Sequence, residues 1–500
     1  MKREQWGTKY GFILAAMGSA IGLGNLVRYP SVVYENGAGA FLIPYFVALF
    51  TAGIPILFLE YSLGHKYRGA GPWVYQKLSK KWEWLGWWQS IVAFVILSYY
   101  MVILGWALSY TYYSFGAQWG EDTESFFFND YLGVTEGVGV LGGIQWKVLI
   151  PVAILWAVLF WVLHRGAKRG IEWASKFMIP ILVAMIVLIT IRGLTLEGAI
   201  KGLEAYFTPD FAALSKPEVW INAYGQVFFT LSVGFCTMIT YASYLPKRSD
   251  LANSGFIVAL SNCSFEFFAA IGIFSALGFL ATQQGVEVGE VVAGTLGMSF
   301  VVFPQIINQF PGLNSLFGVM FFVSLLFAGF TSAVSLAEPG IAAIREKFGL
   351  SRKAAVNWLC GASALLSLLY VFKGGLYFLD IVDYFINNYG IVVSAILMVV
   401  LAGWVSKQVD SLQNHINDVS IVRIGAWWPI VIRFITPLSL AAMVLWNIYK
   451  EWMMTYGGYP QWSVNVFGWG LLAVVIIAGA LIQQRRWATE PSPHREEVSS

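Results

Sequence analysis

The stretch Gly18 to Asn25, GSAIGLGN, puts three glycines and an asparagine into the first apolar run of membrane length. A glycine inside a helix costs about 1 kcal/mol relative to Ala. Backbone that leaves the helix at bilayer depth persists only where protein buries it or where it lines a polar cavity. The stretch therefore predicts a helix broken near mid-membrane, with a binding site at the break. Gly18 and Gly22 also fit the small-xxx-small pattern of close helix packing. Taken alone, that pair leaves both readings open.

Working outward, the 500 residues are 58% hydrophobic and 12% charged, against roughly a quarter charged in soluble domains. The chain reads as an all-α polytopic membrane protein with the lipid bilayer as its solvent. Counting apolar runs near the ~20 residues a bilayer crossing needs gives about twelve spans. They fall at 10–32, 41–63, 88–110, 148–163, 177–191, 220–244, 256–281, 316–344, 354–372, 381–405, 427–448 and 464–482. The expected division is a gate segment at 1–9, a first five-helix repeat at 10–192, a second at 193–405, two further spans at 406–482 and a tail at 483–500.

Basic residues cluster after alternate spans: Lys2, Arg3 and Lys9 before the first, Lys66, Arg68, Lys77, Lys80 and Lys81 after the second, Arg165, Lys168 and Arg169 after the fourth. The pattern continues with Lys247 and Arg248, with Arg345, Lys347, Arg352 and Lys353, and with Arg485 and Arg486. By the positive-inside rule both termini are expected in the cytoplasm, in a cell (inner) membrane. The opposite side carries Glu121, Asp122, Glu124 and Asp130. A net charge of +3 implies no nucleic-acid partner. The first apolar segment is too long for a cleavable signal peptide.

Cys236, Cys263 and Cys360 all lie in predicted spans, which excludes a disulfide framework. His65, His164, His415 and His494 show no spacing that would place two on one metal. No nucleophile, base and metal cluster points to an enzyme. The tail from Gln483 reads as a short disordered end.

A second interruption, SVGFCT at 232–237, falls in the sixth span. The first helix of each five-span half is thus broken, the plan of inverted-repeat secondary transporters. Broken helices offer N–H groups to an anion and carbonyls to cations. Such a site suits a zwitterion and alkali cations.

The segments WGTKYGFILAAMGSAIGLGNLVRYP, NGAGAFLIPY, PEVWINAYGQVFFTLSVGFCTMITYASY, LFAGFTSAVSLAEP and RFITP resemble the neurotransmitter:sodium symporter family, in its prokaryotic amino-acid branch, from Arg3 to about Tyr449. The resemblance implies the five-plus-five inverted-repeat fold of the leucine-transporter type, with unwound first and sixth helices. It implies two sodium ions and no organic cofactor. The first ion would take the Ala20 carbonyl, Asn25, Thr230, Asn262 and the substrate carboxylate. The second would take the carbonyls of Gly18, Ile21 and Ala328 with the hydroxyls of Thr331 and Ser332. Carbonyl, amide and hydroxyl oxygens are what a hard cation needs.

Where monoamine carriers of the family hold an Asp, this chain has Gly22, so the implied substrate brings its own carboxylate. That carboxylate would meet the N–H groups of Leu23 and Gly24 and the Tyr100 hydroxyl. Its ammonium would meet the carbonyls of Ala20, Phe229 and Thr230 and the Ser232 hydroxyl. Ile96, Phe229, Phe235 and Leu336, with Ser332 at the edge, would line an apolar side-chain pocket. Glu266, with Tyr45, Gln226 and Thr230, would replace the chloride used by other members. Arg28 and Asp383 would form the outer gate, with Asp380 one turn earlier as the competing carboxylate. Arg3 and Glu346, supported by Trp6 and Tyr244, would form the inner gate. The expected activity is sodium-coupled, chloride-independent import of neutral, mainly hydrophobic amino acids by alternating access. A proton-coupled or exchange carrier and a non-transporting amino-acid sensor stay open as alternatives. Aromatic surfaces on the ninth and twelfth spans leave a homodimer open as well.

Overall fold

The computed structural model describes residues 4–488. Every long element in it is helical. The first span is two helices, α1 (Lys9–Ala20) and α2 (Gly24–Glu35), bent by 49° at the break. Then follow α3 (Gly39–Tyr67), the short α4 (Gly71–Leu78), α5 (Lys80–Tyr113), α6 (Trp146–His164) and α7 (Ala167–Leu194). The sixth expected span is again a pair, α8 (Pro217–Thr230) and α9 (Thr237–Ser243). The second half continues with α10 (Leu251–Gln284), α11 (Asn314–Phe348), α12 (Arg352–Val371) and α13 (Gly375–Val405). A surface helix, α14 (Val409–Val419), precedes α15 (Trp427–Gly458) and α16 (Gln461–Gln483).

Ten of these helices are long and apolar enough to cross a membrane, and the bent pair makes eleven. Helices α8 and α9, of 14 and 7 residues, are individually too short, and together they occupy the place of the remaining expected span. Ends are set by ordinary caps. The hydroxyl of Thr8 accepts the Gly11 N–H at 2.9 Å, Asp250 accepts the Asn253 N–H at 3.0 Å, and α11 stops at Gly349 with φ +68°.

Both breaks are real departures from the helix. In the first, Ile21 is extended (φ −74°, ψ 100°) and helical bonding resumes in a wide turn at Gly24–Arg28. In the second, Ser232, Gly234 and Cys236 have φ of +52°, +93° and +62°. Thr237 already belongs to α9, so this break runs from 231 to 236, one residue ahead of the sequence expectation. The carboxylate of Glu60, buried on α3, accepts the Gly234 N–H at 2.7 Å. It thereby satisfies a donor that the broken helix leaves unpaired.

Two close approaches explain why glycine stands at the first break. A methyl on Gly18 would come within 3.0 Å of the Thr331 side chain on α11, and one on Gly24 would overlap the Phe229 ring on α8. Helices α5 and α11 flank the breaks, and with α13 and residues 294–300 they supply the other walls of the central cavity.

Candidate functional site

A cavity of about 490 Å³ begins at the two breaks, where Ser19, Ala20, Gly22, Leu23, Gly24, Asn25, Ser232 and Phe235 line it. Its flanks are Ile96 and Tyr100 of α5, Phe229 of α8, and Ser332 and Leu336 of α11. It runs past Arg28, Asp383 and Tyr384 to Asp380 and Tyr456, toward the face opposite the N-terminal segment. Every residue expected for the substrate pocket is on this wall except Thr230, which sits behind it.

At the inner end of the cavity the polar groups gather at the breaks and on the facing sides of α5 and α11. Tyr100 Oη stands 3.3 Å from the Leu23 nitrogen, and the Ser232 hydroxyl donates to Ser19 O at 2.6 Å. The Ser332 Oγ lies 3.2 Å from Gly18 O, 3.2 Å from Ser19 O, 3.4 Å from Ile21 O and 3.2 Å from Ala328 O. Thr331 Oγ1 is 3.0 Å from the same Ala328 O. One hydroxyl hydrogen can serve only one of these carbonyls at a time. Their convergence gathers carbonyl and hydroxyl oxygens, the ligand type a hard cation takes, from all five residues expected for the second ion.

A second cluster lies behind the first break. The Asn25 amide donates to Thr230 Oγ1 at 2.8 Å and to Asn262 Oδ1 at 3.0 Å, and the Asn262 amide donates to Thr230 Oγ1 at 2.9 Å. Asn25 Oδ1 accepts the Gly22 N–H at 2.9 Å. These groups are buried and formally neutral. Glu266, fully buried next to them, accepts from Tyr45 at 2.6 Å and from the Gln226 amide, with Thr230 as a further hydrogen-bonding neighbour. The four residues expected to stand in for chloride are therefore together.

The gates depart from expectation. Arg28 and Asp383 form no ion pair among the described residues. The Arg28 guanidinium lies over the Phe229 ring, 4.8 Å from its centroid, while Asp383 accepts from the Asn387 amide at 2.8 Å. Each charge has a local partner, and both residues line the cavity. Asp380 is engaged elsewhere, by Tyr456 at 3.1 Å and Tyr459 at 2.8 Å. On the N-terminal face, Arg3 lies outside the described residues, and Glu346 accepts the Ala70 N–H at 2.8 Å. Trp6 is buried, donating from its indole to Tyr241 O at 2.8 Å with its ring 6.3 Å from that of Tyr244.

Most of the ion pairs on that face come from residues not expected there. Glu4 pairs with Arg345 at 3.3 Å and Arg352 at 3.6 Å, and Arg352 pairs with the fully buried Glu338 at 2.7 Å. Tyr244 donates to Glu338 at 2.7 Å. A carboxylate inside an apolar run, near basic residues at the same predicted membrane edge, was the available signal for Glu338. His65 and His415 also meet, with ring nitrogens 2.9 Å apart, although no sequence spacing joins them. No group of three metal-ligating side chains occurs among the described residues.

The sequence profile of the "Sodium:neurotransmitter symporter family" matches residues 3–123 and 117–489. The chain belongs to the sodium:neurotransmitter symporter family. It is 40% identical over 486 residues to an "Uncharacterized sodium-dependent transporter" of Methanocaldococcus jannaschii, covering 97% of this chain and 98% of that one. It is 28% identical over 514 residues to the human "Sodium- and chloride-dependent taurine transporter", covering 94% of this chain and 82% of that one. Its structure is similar to that of MhsT in complex with L-phenylalanine, with a TM-score of 0.75 and 32% identity over 89% of this chain and 99% of that one. As a family symporter it is a sodium-dependent, multi-pass membrane transporter. Its helices form the five-plus-five inverted-repeat fold of the leucine-transporter type, with the first and sixth spans unwound.

Proposed function

We propose that this symporter imports neutral, mainly hydrophobic amino acids with sodium by alternating access, without requiring chloride. The observation that carries the reading is the inner end of the cavity. At Gly22 it presents hydrogen-bond donors and no carboxylate, beside the apolar wall of Ile96, Phe229, Phe235 and Leu336. A zwitterion would set its carboxylate against Leu23 N–H, Gly24 N–H and Tyr100, and its ammonium against the carbonyls of Ala20, Phe229 and Thr230 and the Ser232 hydroxyl. A charged side chain would be buried there without a partner, which is costly. The structural relative bound to L-phenylalanine supports an apolar side chain.

Two sodium ions fit the donor sets described. One would be held by Gly18, Ile21, Ala328, Thr331 and Ser332, and the other by Ala20, Asn25, Thr230, Asn262 and the substrate carboxylate. Because every protein ligand of the latter is neutral, the carboxylate offsets the ion's charge, and each makes the other's binding more favourable. Glu266, when ionised, would supply the negative charge nearby, which is why chloride is dispensable in this reading.

The conformation described, sealed at the N-terminal face and open opposite it, is one of the two end states of alternating access. With the N-terminal face in the cytoplasm of a cell membrane, as the basic loops favour, it is the loading state. Two ions moving with a net-neutral substrate would draw roughly 2.3 kcal/mol per charge from 100 mV and about 1.4 kcal/mol per ion from a tenfold gradient. The test is uptake of a labelled amino-acid panel into proteoliposomes under inward sodium or potassium gradients. Sodium-driven accumulation of apolar amino acids is expected. Accumulation of taurine or charged amino acids instead, or sodium-independent exchange, would overturn the reading.

A further inference from the structure

The strongest feature outside the transport site is a buried ion pair completed by the end of the chain. Lys347, the penultimate residue of α11, is fully buried and lies 2.6 Å from Glu83 near the start of α5, itself 2% exposed. A buried pair holds only if its remaining lone pairs and protons find partners. Trp87 on α5 supplies one, donating to Glu83 Oε1 at 3.0 Å. The Lys347 ammonium also reaches the Gln483 carbonyl at the end of α16, at 3.5 Å, and the remaining partners come from beyond that last span. Trp487 donates its indole N–H to Glu83 Oε2 at 3.0 Å, and the Lys347 ammonium lies over the Trp487 ring at 4.7 Å. Ala488 N–H donates to Lys347 O at 2.8 Å, satisfying one of the carbonyls that the last turn of α11 leaves open.

The same indole reaches a third element. Its ring meets Trp73 of α4 edge-on at 5.2 Å, and the residue before α4, Ala70, is bonded through its N–H to Glu346, the neighbour of Lys347. Helix α4 is thus tied to the end of α11 at two points, and one of them depends on Trp487. Helix α11 also carries Thr331 and Ser332 of the candidate ion site and Glu338 and Arg345 of the closed network. Helix α4 leads directly back into α3, whose Glu60 holds the second break.

We propose that residues 485–488 are a strap that holds the N-terminal face closed, with Trp487 as a positioning residue acting through Lys347 and Glu83 on the end of α11. The strap is a four-residue segment past the last turn of α16, docked by two long-range hydrogen bonds and one aromatic ring. This is a contact small enough to release in each cycle. Opening this face separates α4 from the end of α11, and the strap resists that separation. Loosening the strap shifts the population toward the state open at this face.

The test is hydrogen–deuterium exchange on the purified full chain in sodium buffer, which needs no amino acid and stands apart from the substrate assignment. Trp487→Ala, and a chain ending at Arg486, are expected to speed exchange on the order of tenfold in residues 70–78 and 4–12, with α10 unchanged. A chain ending at Ala488 is expected to match the full chain. Trp487→Phe, which keeps the ring and loses the N–H, is expected to fall between. Unchanged exchange in 70–78 in Trp487→Ala would overturn the proposal, as would an equal rise in every helix, which marks a general packing role. If Trp487→Ala does not fold, Trp487→Phe decides on the same segments by the same criterion.

Discussion

The hydroxyl oxygen of Ser332 lies 3.2 Å from the carbonyl oxygen of Gly18, joining positions 314 residues apart across the first break. The carbonyls around it exceed what its single hydrogen can satisfy, and in the proposed site a sodium ion would take up the excess. Ser332→Ala is expected to raise the sodium concentration for half-maximal uptake roughly tenfold, as loss of about 1–2 kcal/mol from one oxygen ligand implies. A sodium titration of uptake measures it, and an unshifted curve would remove Ser332 from the ion site.

Glu266, bonded to Tyr45 and Gln226, is the charge that makes chloride unnecessary in the proposed cycle. Glu266→Ser removes that charge and leaves a small hydroxyl. Uptake by this variant is expected to require external chloride, whereas the unaltered protein should transport equally in chloride and gluconate. Equal uptake by the variant in both salts would refute the assignment.

In the proposed binding mode Gly22 leaves room for the substrate carboxylate. A methyl there would stand 3.2 Å from Tyr100 Oη and 3.1 Å from Ser332 Oγ. Gly22→Ala should therefore cut amino-acid affinity by roughly tenfold or more while changing thermal stability little. Equilibrium binding beside a melting curve separates the two effects. Wild-type affinity in this variant would place the carboxylate elsewhere.

Arg352 neutralises Glu338, which has no solvent exposure. Arg352→Ala strands that carboxylate, at a cost of about 3–5 kcal/mol. A clear fall in melting temperature is expected, partly recovered by adding Glu338→Gln. If the double variant is no more stable than the single one, the ion pair is not the source of the loss.

Asp383 and Asp380 are separated by their partners. Asp383, on the cavity wall with Arg28, is held by the Asn387 amide and Tyr99 and in the proposed cycle would exchange them for Arg28, while Asp380 is held by two tyrosine hydroxyls. Asp383→Asn is expected to lower uptake well below its effect on equilibrium binding, and Asp380→Asn to change uptake by less than about threefold. The reverse order would exchange their roles.

Much of the site was legible in the chain because its signals are local. Three glycines in eight residues mark the first break, and Ser232, Gly234 and Cys236 at positive φ bear out the second. The gathering of Tyr45, Gln226, Thr230 and Glu266 was legible through family resemblance, since no local spacing joins residues so far apart. The inner face was read less well. Its charges Glu4, Glu338, Arg345 and Arg352 lie on three separate segments, and which acid meets which base depends on how those segments pack.

The sequence alone therefore determined the solvent, the helical class, the broken spans and the chemistry available at them, because apolar length and helix-breaking residues act over a few neighbouring positions. Only the tertiary structure decided that Arg28 rests on Phe229 rather than on Asp383, that Glu4, Arg345, Arg352 and Glu338 close one face, and that Trp487 completes the Lys347–Glu83 pair. Those choices set buried charges against whatever partners the fold brings within reach. A charge in a low-dielectric interior takes the partner that is present in that conformation, a fact no linear pattern encodes.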